Sequence, residues 1–231
     1  PELVVSFMGA VNGNADVSIG NVVGSNIFNV LGILGLTAIF FPVAIEKKNM
    51  KFEIPLCIVV SVLLMILALN FFDGTAATIG RADGWVLLLS FVGFMWYSFA
   101  RDRKDSNEST EQITDAISPL WLAIVKVVGG LALLIVSCDF FVDNAVLIAK
   151  RFGVNDAFIA LTLIACGTSL PELAASVAAA VKKNTDMALG NIVGSNIFNI
   201  TLILGLSSQV MPLTSAGITS VDYIVMIVAA V

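Results

Sequence analysis

Histidine is absent from the 231 residues, and cysteine occurs only three times. The first absence excludes the His-bearing zinc hydrolase motifs and any histidine proton relay. Cys57, Cys138 and Cys166 lie singly inside apolar stretches, without the paired spacing of a disulfide framework or a thiolate zinc site, and read as small packing residues. Charge is scarce too, at 13% of residues against about 25% in an ordinary soluble domain. Most of it sits in short connecting segments. No basic patch is large enough for nucleic acid.

What fills the chain instead is hydrocarbon: 58% of the residues are hydrophobic. A helix of about 20 apolar residues crosses a hydrocarbon core of about 30 Å. Such stretches occur at 17–42, 52–72, 84–100, 119–149, 157–181 and 187–211. Two further apolar segments, 1–11 and 219–231, read as parts of helices, since neither has a proper start or finish. With no initiator Met, the sequence is expected to be a piece trimmed at both ends, with about eight spans represented, and its Pro1 start is not read as a signal peptide.

The chain repeats itself. Pro1 to Leu36 recurs without a gap as Pro171 to Leu206: PELVVSFMGAVNGNADVSIGNVVGSNIFNV in the first copy and PELAASVAAAVKKNTDMALGNIVGSNIFNI in the second. Five crossings separate the copies. An odd number reverses direction, so the copies are expected to lie upside down relative to each other, the inverted-repeat plan of many secondary transporters. The loops at 43–51, 101–118 and 182–186 then share one side and carry Lys47, Lys48, Lys51, Arg101, Arg103, Lys104, Lys182 and Lys183. The other side, at 12–16, 73–83, 150–156 and 212–218, carries Arg81, Lys150 and Arg151. The excess of positive charge places the first group, with the polar linker 101–118, in the cytoplasm. Residues 1–100 form the first repeat and 119–231 the second. Symmetry implies about 52 residues before Pro1 and roughly 40 after Val231, ten transmembrane helices when complete. The fold class is an all-α membrane protein of the inverted-repeat transporter type.

Glu172 lies near the middle of its span, where an ionised side chain costs about 3 kcal/mol on translocon-based scales, and Glu2 is its repeat counterpart. A carboxyl kept protonated, or paired for packing, is the structural alternative. Each glutamate follows a proline. Pro171 cannot donate to the helix ladder, so the carbonyl of Gly167 loses its partner and the span is expected to kink around Gly167, Thr168, Ser169 and Pro171. Unwound carbonyls in broken helices coordinate ions in inverted-repeat transporters, although a kink serving packing alone is also common. In the next span Asn191, Ser195 and Asn199 recur every four residues, as do Asn21, Ser25 and Asn29 in the first copy. Interhelical hydrogen bonding competes with ligation for these stripes, at least equally for Asn21 and Asn191. Gly20 with Gly24, and Gly190 with Gly194, have the spacing that lets helices approach closely, and read as packing positions.

The inventory is two carboxylates with hydroxyls, amides and carbonyls, all hard oxygen donors. Hard cations prefer such a set, and two ionised glutamates neutralise one calcium ion. PEL followed by GNVVGSNIFN, and GTSLPEL followed by GNIVGSNIFN, resemble the two alpha repeats of the sodium/calcium exchanger family, prokaryotic in type. The resemblance covers essentially the whole chain. It implies an antiporter, not an enzyme, that exchanges Ca2+ for Na+ by alternating access, with no cofactor beyond its transported ions. Glu2 and Glu172 would bind the ions alternately, Thr168, Ser169, Ser25 and Ser195 would supply oxygens, and Ala165 a carbonyl. Asn29 and Asn199 stand at positions four after each serine, where many relatives, potassium-dependent ones included, carry Asp in the second repeat; Asn199 therefore argues against potassium cotransport. Proton-coupled exchange and a cation channel are the alternatives. An intramembrane enzyme lacks a nucleophile and base to accompany the acids. Two like charges in low dielectric disfavour an empty site, which motivates obligatory exchange and inhibition at acidic pH. The setting is the lipid bilayer of a prokaryotic cell membrane.

Overall fold

The computed structural model describes residues 1–40, 49–69, 78–108, 120–153, 165–214 and 217–231, not every side chain among them being placed. In chain order the helices are α1 (Glu2–Val11), α2 (Ala15–Ile27), α3 (Gly35–Phe40), α4 (Ile54–Ala68), α5 (Arg81–Glu108), α6 (Leu120–Arg151), α7 (Ala165–Thr168), α8 (Leu170–Val181), α9 (Thr185–Phe198), α10 (Gly205–Val210) and α11 (Ser220–Ala230). Three wider π-helical segments interrupt them: π1 (Phe28–Leu34), π2 (Asn49–Glu53) and π3 (Asn199–Leu204). Stretches Ala15–Ile39, Lys51–Ala68, Arg81–Ala100 and Thr185–Val210 are long and apolar enough to cross a membrane. These match four of the six full spans. The segment read as 119–149 is the single helix α6, and the terminal segments form α1 and α11. Part of the span 157–181 lies outside the described residues, as do most of 43–51 and the second half of the linker. Residues 101–108, read as part of the polar connector, continue α5 as helix.

The repeat is visible in local geometry. Asn14 and Asn184, 170 positions apart, cap α2 and α9 by accepting from the amides of Val17 at 3.2 Å and Met187 at 3.0 Å. Such caps satisfy amides that the first turn leaves without partners. The turn before each cap needs a left-handed residue. The first copy places Gly13 there (φ 76°) and the second Lys183 (φ 60°), a conformation that a Cβ penalises. π1 and π3 also fall at corresponding positions, and each gives way to α-helix at an equivalent glycine, Gly35 or Gly205.

The main core gathers Ile19 and Val22 of α2, Leu64 of α4, Leu87 of α5, Ile200 and Leu204 of π3, and Tyr223 of α11, all at most 1% exposed. The repeats interlock reciprocally, α2 meeting π3 and α9 meeting π1. Gly84 of α5 faces Ser208, Gln209 and the carbonyl of Gly205, so tightly that a Cβ at residue 84 would collide with them. Outward, Trp96, Leu133 and Ile39 expose at least two thirds of their surface, the pattern of faces covered by hydrocarbon.

One small sheet joins the helices: Thr78–Ile79 and Leu213–Thr214 pair antiparallel, Thr78 opposite Thr214. The amide of Gly217 donates to Asp16 Oδ1 at 3.0 Å. Thr78 with Thr214, and Gly217 with Asp16, thus draw together described residues from three of the four loops that span count assigned to one side.

Candidate cation site

Each glutamate stands in the first turn of a helix, Glu2 in α1 and Glu172 in α8. The N-terminus of α8 carries partial positive charge, which favours the Glu172 carboxylate there. The span 157–181 is not merely kinked, as its proline suggested. Ser169 (φ −93°, ψ 5°) ends one helix and precedes another, its amide donating to the Cys166 carbonyl at 3.2 Å. Pro171 then lies within the first turn of α8, where a missing amide hydrogen is tolerated.

A cavity of about 380 Å³ brings together Glu2, Glu172, Asn191, Ser195 and Asn199, with Gly190 and Gly194 in its wall. Among the described residues no three cysteine, aspartate or glutamate side chains cluster, so the site's acid is this pair. Glu2 is 4% exposed, and its Oε1 accepts from Ser169 Oγ at 3.1 Å, linking the two repeats. Glu172 turns Oε2 into a buried position where no described group bonds it.

Ser25 and Ser195 behave alike. Each hydroxyl donates to the carbonyl one turn back, Asn21 at 2.6 Å and Asn191 at 2.7 Å. With the proton placed there, the oxygen lone pairs are left to accept or to coordinate. Ser25 is not in the cavity wall; Ser195 is. Thr168 Oγ1 lies 3.5 Å from Asn21 Oδ1, and Ala165 opens α7.

The outer asparagines serve as fasteners. Asn21 Nδ2 donates to the Glu2 carbonyl at 3.3 Å and Ser6 Oγ at 3.0 Å, and Asn191 Nδ2 to the Glu172 carbonyl at 3.2 Å and Ser176 Oγ at 3.0 Å. These bonds hold α1 on α2 and α8 on α9, and so place each glutamate; in membranes such contacts contribute about 0.6 kcal/mol on average. Asn29 and Asn199 also bond across repeats, their Nδ2 atoms meeting Asn196 Oδ1 and Asn26 Oδ1 at 3.0 Å each. Sequence reasoning passed over Ser6, Ser176, Asn26 and Asn196, although each is a polar residue in an apolar stretch that recurs at the repeat offset. The glycine reading needs correction. Among the described residues, added Cβ atoms at Gly24, Gly190 and Gly194 would meet nothing within 4 Å, and the latter two open onto the cavity, whereas Gly20 has Ile218 at 3.4 Å.

The family model described as sodium/calcium exchanger protein matches residues 1–100 and 122–231. The chain is 40% identical over 217 residues to a putative antiporter, CaxA, of Alkalimonas amylolytica and 37% identical over 223 residues to the inner membrane protein YrbG of Escherichia coli, in both cases over 92% of this chain and 66% of the relative. It therefore spans just under two thirds of the length of these relatives. It is 31% identical to the sodium/calcium exchanger MaX1 of Methanosarcina acetivorans, over 94% of this chain and 71% of that protein. Among solved structures, the sodium-calcium exchanger NCX_Mj soaked with zero Na+ and Ca2+ superimposes with a TM-score of 0.81 at 30% identity, covering 100% of this chain and 71% of that one. The fold is all-α and of the inverted-repeat membrane type, and the chain belongs to the sodium/calcium exchanger family, a family of transporters rather than enzymes.

Proposed function

We propose that the complete protein exchanges calcium for sodium across a prokaryotic inner membrane by alternating access, using Glu2 and Glu172 as the charged ligands. The observation that carries this reading is the pair itself: one glutamate from each repeat lines a single cavity whose other polar groups are neutral oxygen and amide donors. Two carboxylates match one dication, and several sodium ions relieve the same repulsion, so the two cargoes exclude each other. The ligand set is completed by Thr168, Ser169, Ser25, Ser195, Asn29, Asn199 and the Ala165 carbonyl, hard oxygens suited to both ions. An amide at residue 199 leaves no third acid for a potassium ion. The lysine-bearing linker 101–118 faces the cytoplasm.

The test is calcium-45 uptake by sodium-loaded proteoliposomes carrying the full-length protein, with and without an outward sodium gradient, beside Glu172→Gln. Uptake that needs the gradient and disappears in the variant is expected. Gradient-independent uptake would make the protein a channel or a carrier coupled to another ion, and absence of calcium flux would overturn the substrate.

A further inference from the structure

Asn26 and Asn196 occupy the same position in the two repeats and are only 1% and 2% exposed. Their amides reach across the interface reciprocally. Asn26 Nδ2 donates to the backbone carbonyl of Asn196 at 3.2 Å, and Asn196 Nδ2 to that of Asn26 at 3.3 Å. A carbonyl only accepts, so these contacts fix which end of each amide carries the hydrogens. The opposite ends, Oδ1, then require donors, and each finds one at 3.0 Å: Asn199 Nδ2 meets Asn26 Oδ1, and Asn29 Nδ2 meets Asn196 Oδ1. The orientation passes on. With their NH2 ends committed, Asn29 and Asn199 keep their oxygens for other use. Asn29 Oδ1 is buried with no partner among the described residues, and Asn199 stands in the cavity wall beside Glu172.

We propose that Asn26 and Asn196 are positioning residues, which lock the amides of Asn199 and Asn29 so that oxygen rather than NH2 is presented to the transported cation. This rests on the cation-exchange reading above. An amide free to turn would present its hydrogens to a cation for part of the time, and the NH2 end repels it. The lock needs both repeats, because the residue that orients each ligand belongs to the other copy. Such outer partners of metal ligands commonly govern affinity by tenfold or more.

The experiment is a double-variant cycle in full-length protein, reading the apparent calcium KM and the maximal rate of sodium-driven uptake for wild type, Asn26→Ala, Asn199→Ala and the pair. Asn26→Ala is expected to raise KM by about tenfold while the maximal rate stays within about twofold, and the pair is expected to be no worse than Asn199→Ala alone, because Asn26 acts through Asn199. Effects that multiply, a KM that does not move, or a loss confined to the maximal rate would each overturn the proposal, since a merely structural role produces those results. Asn196→Ala with Asn29→Ala forms the mirror cycle and decides the matter if Asn26→Ala does not fold. Wild-type protein without sodium-driven calcium uptake would refute the function and the inference together, whereas wild-type uptake with an unmoved KM refutes the inference alone.

Discussion

At the scale of the residue, the two glutamates are equivalent by sequence. Glu2 is buried and held by Ser169, while Glu172 keeps one oxygen without a described partner. Hydrogen bonds to a charged group contribute about 1.5–3 kcal/mol. Ser169→Ala should therefore lower stability by about 1.5–3 kcal/mol, read as a lower melting temperature in detergent, and should raise the apparent calcium KM, measured by initial-rate uptake; an unaltered KM would remove Ser169 from the site. On the proposed function, protons compete with cations for both carboxylates. At subsaturating calcium, uptake should fall as the pH is lowered and recover when calcium is raised, because the ionised forms are the binding forms. Uptake that rose with acidification would instead favour a proton-coupled carrier.

At the scale of the element, the two repeat turns make the same left-handed bend with different residues, Gly13 in one and Lys183 in the other. Lys183→Gly should stabilise the protein by about 1 kcal/mol, seen as a higher melting temperature in detergent. No change would mean that the lysine side chain offsets its backbone penalty through contacts of its own. The glycines of α5 and α9 should respond oppositely to enlargement. Gly84→Ala places a Cβ against Ser208 and Gln209 and should cost about 1–3 kcal/mol. Gly194→Ala enters open space, should leave the melting temperature unchanged, and should slow transport by narrowing the cavity. Equal destabilisation by both would contradict the open environment of Gly194.

At the scale of the whole molecule, the inverted arrangement fixes sidedness. In a variant lacking the three native cysteines, Asn107→Cys in the linker should react with an impermeant maleimide only from the cytoplasmic face, and Arg151→Cys at the end of α6 only from the other. Labelling of both from one face would break the topology. Four of the six full spans, the repeat of Pro1–Leu36 as Pro171–Leu206 and the pairing of Glu2 with Glu172 were legible in the sequence, because hydrophobic length and self-similarity are properties of the chain in one dimension. The polar stripe through Asn21, Ser25 and Asn29 was legible too, but not what each member does. Helical periodicity says which residues share a face without saying what the face meets. The relay from Asn26 to Asn199 joins residues 173 positions apart, and the sense of each amide follows from a backbone carbonyl in the other repeat. The glycines of the second copy were misread for the same reason: small-residue spacing permits close approach, and only the packed structure decides whether another helix or an open cavity takes the space.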